Sequence, residues 1–217
     1  MFNKKQAGLT LIEMMIALVL GLFVVGVIIT VFSTNVRSST ESIKMIRLNQ
    51  ELRGVMTFMS DELKRSGYSS DPNVGDFMQD FNVSATCIRY SYDENGDDIR
   101  DANERFGFKL ESNTVKWTTS GGDPNTPPTA PDCGTGTWTD ITDPNLASIA
   151  TLNFDLTGSV NTNGDTGLAA LTATTGVSVY DVTITLTGTT DLPHSSDAND
   201  PSRTVTETIR IRNEDPK

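Results

Sequence analysis

Apolar residues run almost unbroken from Leu9 to Phe32, 24 positions in which Glu13 is the only charge. Wound as a helix at ~1.5 Å per residue, the run is about 36 Å long, enough to cross a hydrocarbon core of ~30 Å. A cleaved secretory signal has an apolar stretch of only ~7–15 residues, so this run is too long to be one. Past Val36 the pattern changes. Met45, Leu48, Leu52, Val55, Met59 and Leu63 recur every three or four residues and draw one apolar stripe, with Glu41, Lys44, Arg47, Gln50, Glu51, Arg53, Asp61 and Lys64 filling most of the remainder. Lys64 and Arg65 suit a helix C-terminus electrostatically, and Gly67 can supply a left-handed cap. Together the two patterns predict one helix from about Leu9 to about Ser66. Its first half belongs in an apolar surrounding. Its second half is expected to pack on a sheet rather than stand as a coiled-coil stalk. Gly21, Gly26 and Gly54 mark places where it could bend.

From Ser69 onward helical periodicity vanishes and Gly, Thr, Asn, Asp and Ser become common. Short β-rich runs follow at 86–92, 105–111, 114–118 and 150–156. The clearest strands close the chain. Tyr180, Val182, Ile184 and Leu186 alternate with Asp181, Thr183, Thr185 and Thr187, and Val205, Ile209 and Ile211 alternate with Thr204, Thr208 and Arg210. A period of two means one buried and one wet face. The stretches 121–136 and 192–202 are rich in Pro, Gly and Asp and read as loops. The fold class expected is α+β: a long N-terminal helix, membrane half plus amphipathic half, packed on an antiparallel β-sheet domain. The divisions are a leader at 1–8, a membrane segment at 9–32, an amphipathic half-helix at 33–67 and a β-rich globular domain at 68–217.

Charge divides the chain the same way. Residues 1–68 hold 8 Lys/Arg against 5 Asp/Glu, and residues 69–217 hold 9 against 23. Lys4 and Lys5 precede the apolar run with no acid beside them, which predicts a cytoplasmic N-terminus and an exported C-terminal domain. A domain this acidic lacks the basic patch of a nucleic-acid receptor, so no nucleic-acid partner is expected. Both cysteines, Cys87 and Cys133, lie in the exported part, where one pair is most simply a disulfide. Closing that loop restricts the unfolded chain by roughly 4 kcal/mol in the chain-entropy picture. The single histidine, His194, sits in a Ser/Asp/Asn-rich loop far from other ligands. No nucleophile lies beside a plausible base and no Gly-rich loop could cradle a phosphate, so no enzymatic activity is expected.

Two features carry chemistry. A carboxylate inside an apolar segment is costly unless a cation meets it, and no Lys or Arg lies between Lys5 and Arg37 to meet Glu13. Cleavage after Gly8 would create a new ammonium at Leu9, which a neighbouring copy could offer to Glu13. In an apolar bundle such a pair sets register between subunits. The second feature is an acidic loop. Asp93, Asn95, Asp97, Asp101 and Glu104 stand at offsets 1, 3, 5, 9 and 12, the oxygen-ligand positions of a twelve-residue calcium loop. The sixth position, where the sharp turn wants Gly, is Asp98, and strands rather than helices are expected on either side. No cofactor is required by the reading; calcium is the ion these offsets suit, and an acidic solvated hairpin loop is the other use of them.

The segment Gly8-Leu9-Thr10-Leu11-Ile12-Glu13, continuing Met14-Met15-Ile16-Ala17-Leu18, resembles the prepilin motif of type IV pilins and type II secretion pseudopilins. The usual first mature residue of that family is Phe; here it is Leu9. The helix end from Met59 to Tyr68 and the run Cys87-Ile88-Arg89-Tyr90-Ser91-Tyr92 into Asp93-Glu94-Asn95-Gly96-Asp97 are similar, more loosely, to PilW-type minor pilins and J-type minor pseudopilins. The resemblance implies the type IV pilin fold, cleavage after Gly8 by a prepilin peptidase, N-methylation of Leu9, and an assembly role for Glu13. It implies a minor pilin that primes assembly of a type IV pilus and caps its tip, after a single-pass stage in the bacterial inner membrane with its C-terminal domain in the periplasm. The partners implied are other minor pilins, the major pilin, the prepilin peptidase and the inner-membrane assembly platform. Two alternatives stand beside it: a minor pseudopilin of a type II secretion system, and a membrane-tethered adhesin or calcium-binding module that never polymerises.

Overall fold

The structure is a computed structural model that describes residue 8, residues 10–71, 77–120, 133–190 and 200–212, and the backbone of 215–216. His194, most of the loops at 121–136 and 192–202, and Lys4, Lys5 and Leu9 lie outside the described residues. The chain forms two compact units, residues 1–43 and 44–217. One helix, α1 (Leu11–Leu63), contributes to both, and its assignment is unbroken through Gly21, Gly26 and Gly54.

In the first unit the large apolar side chains from Leu11 to Val36 are all exposed. Apolar residues all round a helix have no wet face to offer, so such a segment is stable only inside lipid or other helices. It is the one helix among the described residues long and apolar enough to cross a membrane. Two of its threonines bond back to the helix: the Thr30 hydroxyl donates to the Gly26 carbonyl at 2.9 Å and that of Thr34 to the Thr30 carbonyl at 3.0 Å.

In the second unit the stripe read from the sequence faces inward. Leu48, Leu52, Val55, Met59 and Leu63 are buried, with Met45 packed partly against the same core. The helix closes in a turn through Gly67, whose φ of +75° is the left-handed geometry that glycine adopts freely. Its amide does not return to the helix. It donates to the Ser91 carbonyl at 2.8 Å, and the Asp93 amide donates to the Tyr68 carbonyl at 2.8 Å, so the helix end is stitched to a strand.

The single sheet expected is divided into three, all antiparallel. The first has the order β1 (Asn82–Ser84), β2 (Cys87–Ser91), β3 (Arg105–Glu111), β4 (Thr114–Thr118), β5 (Thr139–Asp140). The second places β9 (Asp181–Thr189) between β10 (Ser202–Arg210) and β6 (Ser148–Asp155). The third is a small sheet of β7 (Val160–Asn161), β8 (Val177–Val179) and β11 (Asp215–Pro216), with a short helix α2 (Leu168–Thr172) nearby in sequence. β2, β3, β4 and β6 fall on the β-rich runs, and β9 and β10 on the two runs whose alternation announced them. The two- and three-residue strands do not, because so short a segment carries no period.

The inner faces of the two larger sheets meet α1. Ile88, Tyr90, Phe106, Phe108 and Val115 come from the first sheet, and Leu152, Phe154, Val182, Ile184 and Leu186 from the second. Aromatic rings form a layer on the first sheet, with Tyr92 stacked on Phe106 at 4.3 Å and Phe58 edge-on to Phe108 at 5.7 Å and to Trp117 at 5.4 Å. Gly188 on β9 lets the helix approach: a β-carbon there would lie 3.0 Å from Leu52 and 3.4 Å from Leu48.

Candidate functional site

The motif at the N-terminal end of α1 has a local geometry that sequence reading missed. Thr10 precedes the helix, and Glu13 is its third residue. The Glu13 carboxylate accepts from the Thr10 amide at 3.0 Å and from the Thr10 hydroxyl at 2.9 Å, and the Glu13 amide donates back to the Thr10 hydroxyl at 3.3 Å. This reciprocal pair is a capping box, Thr-x-x-Glu, which satisfies amides that have no partner within a helix. Thr-Leu-Ile-Glu spells it in the sequence. Glu13 therefore has a structural use inside one chain, beside any use between chains. Leu9, the residue assigned as the methylated terminus, lies outside the described residues, and Gly8 is exposed.

The acidic loop connects β2 to β3, as a hairpin. Asp93, Asp97 and Glu104 bring carboxylate oxygens within 4.8 Å of one another. Asp101 does not join that group, and Asn95 is engaged locally, its side-chain oxygen accepting from the Asp97 amide at 2.9 Å. Each carboxylate of the group already organises backbone. Asp93 accepts from the amides of Gly96 (2.7 Å) and Asp98 (3.2 Å), Asp97 from Ile99 (2.8 Å), and Glu104 from Glu94 (3.0 Å), Asn95 (3.3 Å) and Asp101 (3.2 Å). The missing glycine at the sixth position is no obstacle to the turn. Asp98 itself adopts φ +58°, a conformation that aspartate tolerates better than most side chains. Its carboxylate accepts from the Asp71 amide (2.9 Å) and the Ser70 (2.7 Å) and Ser69 (2.9 Å) hydroxyls, which hold its pKa down to about 2. The loop is thereby tied to the segment that leaves α1.

Beside it, at the end of α1, Glu62, Arg65 and Tyr92 close a triangle. The Arg65 guanidinium lies 3.2 Å from Glu62, and the Tyr92 hydroxyl donates to Glu62 at 3.2 Å. Burial, more than the nearby carboxylate, pushes the Tyr92 phenol up to about 12. A cavity of about 420 Å³ opens here, lined by Lys64, Arg65, Tyr68, Tyr92, Asp93, Glu94 and Arg212.

Cys87 and Cys133 are joined by a disulfide. The bridge secures a segment that covers the outer face of the first sheet. Trp138 lies there, with the Lys109 ammonium 4.6 Å and the Arg89 guanidinium 5.4 Å from its ring. Gly107, opposite Arg89 in the β2–β3 register, leaves the space: a β-carbon there would fall 2.7 Å from Arg89 Cδ and 2.8 Å from the Ile88 carbonyl oxygen.

An apolar N-terminal helix with an acid in its first turn, followed by a disulfide-bridged domain of antiparallel sheets, places the molecule among type IV pilin-like proteins. Residues 3–29 match the prokaryotic N-terminal methylation motif. The chain belongs to the family described as prepilin peptidase-dependent protein B, whose family model matches residues 41–211. No curated protein matches it. Among solved structures it is similar to a type IV-like pilin from Thermus thermophilus, at 9% identity and a TM-score of 0.46, covering 76% of this chain and 97% of that one. The family's description makes dependence on a prepilin peptidase part of what it shares, and the apolar helix is long enough to cross a membrane.

Proposed function

We propose that this protein is a minor pilin, cut after Gly8, methylated on Leu9, and assembled through its apolar helix into a type IV pilus whose assembly it primes and whose tip it caps. Before assembly it spans the inner membrane once, with its N-terminus in the cytoplasm and residues 68–217 in the periplasm. Its partners in that role are other minor pilins, the major pilin and the assembly platform. The observation that carries the reading is Glu13 as the only charge in a 24-residue apolar run, in a segment matching the methylation motif. The mass of the N-terminal peptide from native membranes tests processing: it should begin at Leu9 with one added methyl group, and a peptide retaining residues 1–8 in assembled filaments would sink the proposal.

The capping box makes a sharper test of Glu13 possible. Glutamine preserves the box, since Glu and Gln both serve at that helix position, but removes the charge. Leucine removes both. If Glu13 acts by meeting the ammonium of a neighbouring Leu9, Glu13→Gln and Glu13→Leu both lose piliation. If it acts only by starting the helix, Glu13→Gln assembles normally. Both variants should still enter the membrane.

For the β2–β3 loop the same reading carries calcium as its ion, favoured by the three converging carboxylates. Calorimetric titration of the full-length protein tests it. Absence of heat and of any thermal shift, with Asp93→Ala behaving as the parent, removes calcium and leaves the hydrogen-bonded hairpin loop.

A further inference from the structure

The cavity of about 420 Å³ at the end of α1 has no part in the pilin reading. Its size falls in the range of about 300–1,000 Å³ common for small-ligand sites. Each of its walls is anchored. The helix end is tied to β2 by the Gly67 amide on the Ser91 carbonyl, and the β2–β3 loop is tied back by the Asp93 amide on the Tyr68 carbonyl, both at 2.8 Å. Arg212 follows Ile211, which is buried and donates its amide to the Tyr180 carbonyl at 2.9 Å.

Residues 69–217 hold 23 acids against 9 bases, yet Lys64, Arg65 and Arg212 all border this cavity. Lys64 is paired with Asp61 at 3.2 Å. Arg65 commits one terminal nitrogen to Glu62 at 3.2 Å and to the Tyr92 hydroxyl at 3.4 Å. Those contacts hold the guanidinium in place and leave the rest of its fork for an incoming group. Arg212 is exposed and makes no ion pair or hydrogen bond among the described residues. Of the two acids, Asp93 already accepts from the Gly96 and Asp98 amides. The Glu94 side chain is exposed and has no partner among the described residues. Tyr92 is buried and stacked on Phe106, which leaves Tyr68, half exposed, as the ring a ligand can cover.

The cavity therefore offers two guanidinium groups, one aromatic ring and one acceptor carboxylate. We infer that it binds a uronic-acid unit, a sugar ring bearing one carboxylate. The carboxylate meets Arg212 and the free side of Arg65, since guanidinium forks match planar anions. The sugar ring lays its weakly positive C–H face on Tyr68, whose ring face is negative. Its hydroxyls donate to Glu94. Other ligand classes leave part of the lining unused. A plain carboxylate leaves Tyr68 bare and sets Glu94 against it. A neutral sugar leaves the cations unmet. A chain of many acids runs into the acidic surface around the cavity.

The test uses full-length protein in mild detergent, with a calcium chelator present so that the result does not turn on an ion in the neighbouring loop. Saturation-transfer NMR and calorimetry with methyl β-D-glucuronide should show saturable binding that weakens as salt is raised. Methyl β-D-glucoside, which lacks the carboxylate, and cyclohexanecarboxylate, which lacks the hydroxyls, should each bind roughly tenfold or more weakly. Acetylglutamate, an acidic peptide side chain without a ring, should not compete. Arg212→Gln should weaken the glucuronide by roughly tenfold or more, and Arg212→Lys should restore part of the loss. Tyr68→Ala should weaken it too, whereas Tyr68→Phe keeps the ring and the affinity. Arg203→Gln, on β10, should change nothing. Unchanged thermal unfolding of each variant separates lost binding from lost folding. The inference is overturned if the glucuronide shows no saturable binding, or if the glucoside or acetylglutamate binds as well. It is equally overturned if Arg212→Gln or Tyr68→Ala binds as the parent does.

Discussion

Leu22 and Leu52 are the same residue type in the same helix, yet Leu22 is 75% exposed and Leu52 is wholly buried. The difference lies in what surrounds each in the sequence. Around Leu22 every side of the helix is apolar, so no rotation can hide the surface within one chain, and only lipid or other helices can remove it from water. Around Leu52 polar residues occupy the remaining sides, so one stripe meets two sheets of the same chain and the matter is settled internally. One half of α1 is folded by its environment, the other by its own domain.

The largest test of that contrast is a pair of truncations. Leu52→Ala should lower the unfolding free energy of the unit 44–217 by about 2–5 kcal/mol, since it leaves a cavity in a packed core. Leu22→Ala should change it by less than about 0.5 kcal/mol. Denaturant unfolding in detergent, followed by tryptophan fluorescence, measures both; equal effects would dissolve the distinction. Next in size is the bridge that secures the outer cover of the first sheet. Cys133→Ser should remove about 2–4 kcal/mol from the same unit and leave membrane retention untouched.

Glycines sharpen the comparison further. Gly107→Ala drives a methyl group against Arg89 and the Ile88 carbonyl, and should destabilise by about 1–3 kcal/mol, with altered fluorescence from Trp138. Gly21→Ala meets nothing within 4 Å and should leave the domain unchanged while raising helix propensity by about 1 kcal/mol. The smallest effect is one of pH. The Asp98 carboxyl, ordinarily near 3.8, is held down to about 2 in the fold. A depressed acid stabilises above its unfolded value and ceases to as pH falls through the folded one. The tie between the β2–β3 loop and residues 69–71 should therefore loosen between pH 4 and 2. Asp98→Asn should flatten that dependence, read by hydrogen exchange of the Asp71 amide.

Legibility followed the same division. The stripe at Met45, Leu48, Leu52, Val55, Met59 and Leu63, and the alternation at Val182, Ile184 and Leu186, were readable because burial on one side imposes a period. Gly67 was readable as a left-handed cap. The partition of the strands into three sheets was not, because pairing joins residues distant in sequence: Ile149 donates its amide to Asn113, and Phe154 to Ala85. At the candidate site the offsets from Asp93 to Glu104 were legible. Their commitment to backbone amides, and the exclusion of Asp101 from the converging group, depended on loop conformation. The Thr10–Glu13 capping box is written in four consecutive letters, Thr-Leu-Ile-Glu.

By itself the sequence determined that this chain has a segment needing an apolar surrounding, a single acid within it, and an acidic domain beyond, because hydrophobicity and charge are carried residue by residue. Only the tertiary structure decided that β10 lies at the edge of its sheet among the described residues and that Asp98 faces Ser69 and Ser70. It also decided that Gly107 lies under Arg89 and Trp138, since neighbours across strands and loops exist only once the chain has closed on itself.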